Sequence, residues 1–196
     1  FTLLMDLDPQ ANLTRGLTDE VKPGAYQAFC NEPFEFHFLR ERLHLLQGSG
    51  ELSLIERNLI GEVDAYTRVK NLVNSNLFES FEYILIDTPP SLSVMTLNAL
   101  AASDFLAVVV NPAIYTMQGT NTLLETYLKV KDNLNPKLSI LGAFVNELDE
   151  RPVIFREIML ELSENFGDML VEYPLSRSVK IEEAIPKQAG VVELGR

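Results

Sequence analysis

Apolar runs of strand length alternate with longer amphipathic stretches, and this pattern constrains the fold more than any other feature of the chain. Thr2–Asp6, Leu43–Gln47, Tyr83–Asp87, Phe105–Val110 and Ile140–Asn146 are rich in Leu, Ile and Val and lack polar alternation. Such runs predict strands buried on both faces of a parallel sheet. Between them, Asp64–Phe78, Ser93–Ala102, Thr116–Leu134 and Pro152–Phe166 carry helical spacing. In the third of these, Leu123, Leu124, Tyr127, Leu128 and Val130 fall largely on one stripe, and Asn135-Pro136 stops the helix. Alternating strands and helices predict an α/β sheet flanked by helices. Gly48-Ser49-Gly50 reads as a turn, while the aromatic-rich Phe34–Phe38 segment fits neither period. Without repeats or long linkers, residues 1–196 are expected to form one domain.

Composition narrows the function classes. Hydrophobic residues make up 46% and charged residues 22%, which is enough apolar material for a core and too little charge for a disordered chain. A single cysteine, Cys30, rules out an intrachain disulfide and points to a reducing, cytoplasmic setting. The apolar start, Phe1–Asp6, is far too short to cross a membrane. The net charge of −12 opposes non-specific nucleic-acid binding, which depends on Lys and Arg neutralising phosphates. The stretch Arg151–Arg196 offers no local exception, with six basic against eight acidic residues.

Two constellations carry candidate chemistry. In Leu3-Leu4-Met5-Asp6-Leu7-Asp8-Pro9-Gln10, a buried strand ends in two alternate acids before a proline turns the chain. In an open α/β sheet, ligands collect outside the carboxyl ends of the strands, where acids can orient a water or hold a cation's water shell. The same residues also suit a capped turn that leads into a helix. In Tyr83-Ile84-Leu85-Ile86-Asp87-Thr88-Pro89-Pro90, four large apolar or aromatic residues feed one Asp at a strand tip, followed by a rigid loop. This is the Walker B arrangement. An N-cap for the next helix is the alternative, a role that Ser91 or Ser93 fills equally well.

Taken together, the segments resemble the ParA/Soj/MinD superfamily of deviant Walker ATPases. "LLMDLDPQANLTRGL" is similar to its second nucleotide motif, and "YILIDTPPSLSVMTLNALAASD" to its Walker B strand, switch loop and helix. "LNPKLSILGAFVNELDER" and "YPLSRSVKIEEAIPKQAGVVEL" are similar, in order, to its later strand and C-terminal segment. The resemblance implies a P-loop NTPase-like, SIMIBI-type fold with a mostly parallel sheet. It also implies ATP with Mg²⁺, a nucleotide-dependent homodimer and a centromere-binding ParB-like partner, closest to the partition branch. By the same resemblance Asp8 positions the attacking water, Asp6 is nucleotide-binding and supports the metal and phosphate region, and Asp87 holds the Mg²⁺ water shell. Thr88, Pro89 and Pro90 form the switch, Asn146 contacts adenine and Pro174 passes the base. An Asn amide both donates and accepts, as a purine edge requires; a strand-end turn is the other reading of Asn146.

Two departures qualify what the resemblance implies. The family's basic stretch, which contributes to DNA binding in several members, here reads "PLSRSVKIEEAIPKQAG", with Arg177 and Lys180 beside Glu182 and Glu183. Solvated surface charge is the expectation there. The family's glycine-rich K-G-G-x-G-K-[ST] loop, whose amides and Lys surround phosphate, does not occur among the 196 residues. The chain is therefore expected to be a ParA-like domain truncated at the N-terminus, without the first strand, P-loop and first helix, truncated also at the C-terminus, and inactive by itself. Alternatives are a MinD-like cell-division switch, which needs a C-terminal membrane helix, and a non-catalytic ParA-like binding module. A synthase with an added glutaminase is disfavoured, because Cys30 sits in no nucleophile motif.

Overall fold

The computed structural model describes residues 1–59, 61–111, 116–146, 152–176, 178–188 and 190–191. They group into two compact units, Phe1–Ala102 with Ala184–Arg196, and Ser103–Glu183.

The first unit contains β1 (Thr2–Asp6), α1 (Asn12–Leu17), α2 (Ala25–Phe29), β2 (His37–Arg40), β3 (Leu43–Leu46), α3 (Leu52–Asn58), α4 (Arg68–Val73), β4 (Tyr83–Asp87) and α5 (Val94–Ala102). Its sheet has the order β2-β3-β1-β4. β1 is parallel to both β3 and β4, and β2 joins β3 antiparallel. The apolar runs became the parallel strands. The aromatic segment supplied the antiparallel edge strand, where His37 is buried and Phe38 exposed. The core lies on one face, with Leu3, Met5 and Leu46 fully buried against Ile84 and Ile86 of β4 and Met95 and Ala99 of α5.

β4 does not meet the expectation of burial on both faces. Tyr83 and Leu85 alternate with Ile84 and Ile86, face away from that core and remain 62% and 59% exposed. The stretch expected as one helix over Asp64–Phe78 is broken. It runs as turns, then α4, then a 3₁₀ turn at Asn76–Phe78, because Asn74-Ser75-Asn76 favours turn geometry over helix. Asn98, fully buried on α5, locks this region by accepting from the Val69 amide (3.3 Å) and donating to the Ala65 carbonyl (2.7 Å).

The second unit contains β5 (Phe105–Val110), α6 (Thr116–Asn133), β6 (Ser139–Val145), α7 (Pro152–Phe166) and α8 (Val179–Ala184). β5 and β6 pair in parallel with one register shift. Val108, Val110, Ala143 and Val145 pack on Ile158, Leu162 and Phe166 of α7, which presents them at helical spacing.

Candidate functional site

β1 and β4 end side by side, with Asp6 opposite Asp87 in the register. The chain leaving β1 extends the ladder by one bond, from the Leu7 amide to the Asp87 carbonyl at 2.9 Å. Asp6, Asp8 and Asp87 thus share the carboxyl edge of the parallel strands β1 and β4, the place where open α/β sheets bind ligands.

Asp6 is completely buried, and both of its oxygens are engaged. Oδ1 accepts the Asp8 amide at 3.1 Å. Oδ2 accepts the Thr14 amide at 2.9 Å and the Thr14 hydroxyl at 2.7 Å. Thr14 is the third residue of α1, whose N-cap, Ala11, makes no side-chain cap bond. The distant carboxylate therefore supplies the acceptor that a helix start needs. Burial pushes the Asp6 carboxyl above the usual carboxylate range, and the Asp8 charge adds to this. The Thr14 and Asp8 donors pull it back.

Asp8 is differently placed. Its Oδ1 accepts only the Gln10 amide at 2.8 Å among the described residues, an Asx turn that leaves the second oxygen for a ligand. The loop is folded tightly around it: the Ala11 amide donates to the Asp8 carbonyl at 2.8 Å, and Ala11 adopts a left-handed φ of 51°.

Asp87 is exposed at the tip of β4. Partial burial pushes its carboxyl up, and the charges of Asp6 and Asp8 push it further, against the Thr88 amide that lowers it. The capping alternative does not hold for Asp87, because Ser93 takes that role through its Oγ, which accepts the Met95 amide at 3.2 Å. Thr88 and Pro89 are half-buried and Pro90 is exposed. This loop is tied down from α5, where the Thr96 hydroxyl donates to the Ser91 carbonyl at 2.6 Å. Three negative groups crowded at one edge leave a demand for positive charge. Among the described residues, no cluster of three His, Cys, Asp or Glu is placed to ligate a metal. Asp8, with one oxygen beyond its Asx turn, and the exposed Asp87 offer carboxylate oxygens of the kind a hard cation such as Mg²⁺ takes, directly or through its waters.

The second unit brings Asn146 and Pro174 together. The Asn146 amide donates to the Val110 carbonyl at 2.8 Å, which fixes it at the end of β6. The Leu175 amide donates to the Val145 carbonyl at 2.8 Å, so Pro174 runs beside that same strand end. Both are half-buried. Lys180 is exposed on α8 with Glu182 and Glu183, while Arg177 lies outside the described residues.

Sequence reasoning missed Thr14 and Gly48. The Gly48 amide donates to the Thr14 hydroxyl at 2.9 Å, so two loops 34 residues apart meet above Asp6. The available signals were a Thr at the third position of a helix start and a glycine immediately after a strand.

Acids at the tips of adjacent parallel strands, followed by a tethered Thr-Pro-Pro loop, place this chain among α/β proteins that carry acids at the carboxyl edge of the sheet, and the comparisons give the family. A family model for the AAA domain matches residues 2–140. The chromosome-partitioning ATPase Soj of Thermus thermophilus is 35% identical over 184 residues, covering 93% of this chain and 71% of that protein. Cobyrinic acid a,c-diamide synthase of Mycobacterium smegmatis, solved with bound ADP and magnesium, superposes with a TM-score of 0.80 at 27% identity, over 98% of this chain and 80% of the synthase. Apo McdA of Cyanothece reaches a TM-score of 0.88 at 21% identity, over 99% of this chain and 81% of its own, and shares the fold. The chain belongs to the ParA/Soj/MinD superfamily.

Proposed function

We propose that this chain carries the acidic half of the ATP site of a partition ATPase, a switch that moves plasmid or chromosomal DNA by cycling through a nucleotide-dependent homodimer. The observation that carries this reading is the division of labour between the acids. Asp6 is consumed by internal hydrogen bonds, while Asp8 keeps an oxygen for a ligand and Asp87 stands exposed beside it. Asp8 orients the attacking water and accepts its proton. Asp87 holds the water shell of Mg²⁺, which when bound neutralises phosphate charge. Thr88, Pro89 and Pro90 sense the terminal phosphate, and the Thr96 tether limits how far that loop moves. Asn146 and Pro174 receive the adenine. Asp6 acts indirectly, by holding the loop that carries Asp8, rather than touching nucleotide.

The partner that fits this reading is a centromere-binding ParB-like protein, and the setting is the cytoplasm. No helix among the described residues is long and apolar enough to cross a membrane. The charge of −12 and the acidic neighbours of Lys180 make non-specific DNA binding the weakest part of the family's repertoire here. A phosphate-gripping glycine loop does not accompany these acids within the 196 residues. The chain by itself is therefore expected to hydrolyse Mg·ATP no faster than a buffer blank. Radiolabelled ATP turnover checks this, and turnover above the blank that Asp8→Ala removes would show that the acids need no such loop.

A further inference from the structure

We propose that Thr14 is a positioning residue that sets Asp8 through a hydrogen-bond relay running Gly48–Thr14–Asp6–Asp8. The inference rests on reading Asp8 as the water-orienting acid, and it adds what holds that acid in place.

The relay is directional. The Gly48 amide donates to the Thr14 hydroxyl at 2.9 Å, which donates to Asp6 Oδ2 at 2.7 Å, while Asp6 Oδ1 accepts the Asp8 amide at 3.1 Å. The Thr14 amide adds a second bond to Oδ2 at 2.9 Å. One buried carboxylate therefore clamps both ends of the loop that bears Asp8: the entry through Asp8 itself and the return through Thr14.

The chemistry at position 14 is specific. Its side chain stands between a donor, the Gly48 N–H, and an acceptor, the Asp6 carboxylate, so it must accept from one and donate to the other. A hydroxyl does both, a carboxylate only accepts and an ammonium only donates. Branching at Cβ also restricts the rotamer of Thr. The contact further needs a residue without Cβ at position 48, where a Cβ would lie 2.7 Å from Asp6 Cγ. The β3 exit loop, the start of α1 and the tip of β1 are thus tied at one buried point. Asp8 enters the site already oriented, with no ligand needed to order it.

The test uses the isotopically labelled 196-residue chain, with Thr14→Val as the isosteric loss of the hydroxyl and Thr14→Ser as its rescue. Two readouts are followed by NMR: amide exchange at Gly48 and the carboxyl carbon resonance of Asp8. In Thr14→Val the Gly48 amide is expected to exchange about tenfold faster, the equivalent of one lost hydrogen bond, and the Asp8 resonance to move. Amides in the β1–β3 and β1–β4 ladders should keep their wild-type protection, and Thr14→Ser should restore both readouts. An unmoved Asp8 resonance, a uniform acceleration across the ladders, or failure of Ser to rescue would each overturn the relay. If Thr14→Val does not fold, the wild-type chain decides the matter: an unprotected Gly48 amide overturns the relay, and a protected one beside a slowly exchanging Thr14 hydroxyl proton supports it. None of these readouts involves nucleotide, so the relay and the ATPase reading fail separately.

Discussion

Gly48→Ala tests the packing around the candidate site most severely. A Cβ at this position would meet Asp6 Cγ at 2.7 Å, Asp6 Oδ1 at 2.8 Å and the Asp6 carbonyl at 2.9 Å. Asp6 is fully buried at the end of a central strand and both its oxygens are bonded, so neither partner in the clash is a flexible tip. Overpacking of this kind costs about 1–3 kcal/mol. Dislodging one charge-assisted bond from the Asp6 carboxylate adds about 1.5–3 kcal/mol. Restricting the unfolded chain returns about 0.4–1 kcal/mol. The expected net loss is about 1.5–5.5 kcal/mol. Gly16→Ala is the matched control: it lies within α1 with nothing inside 4 Å of its virtual Cβ. Removing a helical glycine there should gain up to about 1 kcal/mol. Urea unfolding of both variants, followed by circular dichroism and by exchange at β1 and β3 amides, gives the comparison. A Gly48→Ala variant within about 0.5 kcal/mol of wild type, or equal losses at both positions, would refute the account of a tightly packed loop junction above Asp6.

Three further outcomes follow from the same geometry. Burial and neighbouring acids raise the folded-state affinity of Asp87 for its proton, so its contribution to stability is present in acid and is lost as pH rises through the raised value. Asp87→Asn should therefore be more stable than wild type at neutral pH, with the difference closing towards the ordinary carboxylate range; paired urea curves across that interval check the sign. Asn98→Ala strands the Val69 amide and the Ala65 carbonyl in the core and should cost about 3 kcal/mol, measured as a shift in the urea midpoint. Phe166→Ala empties a buried ring site in the second unit at a cost of about 3–5 kcal/mol, visible as lost exchange protection in β5 and β6.

The sequence was most legible where one physical rule acts alone. β1, β4 and β5 stand at the bounds their apolar runs predicted, and α7 spans Pro152–Phe166 as its helical spacing required. Short elements were not legible by period: α2 and α3 have five and seven residues, too few for one to show, and α1 was readable only as the helix that a capped turn at Asp8 leads into. β2 was hidden because its four residues sit at the end of an aromatic cluster in which Phe36, Phe78 and Phe81 pack edge to face or tilted. At the site, Asp8 and Asp87 were readable as acids at strand tips. The role of Asp6 was not, because its partners lie 8 residues along the chain at Thr14 and, through Thr14, at Gly48. No local pattern encodes a contact made by the fold itself. The exposure of Tyr83 and Leu85 was equally invisible, since an apolar run reports the hydrophobicity of both faces and not what covers each.

The proposal to be tested is that Asp8 and Asp87 form the acidic part of an ATP site, in a sequence that contains no phosphate-gripping glycine loop among its 196 residues. The most direct measurement joins a strand bearing a K-G-G-x-G-K-[ST] loop in frame ahead of Phe1 and follows Mg·ATP turnover. The account predicts that turnover appears in the joined chain, is absent from the 196-residue chain and is abolished by Asp8→Ala with ATP binding retained. A joined chain that binds ATP but turns it over equally well with Asp8→Ala would contradict it.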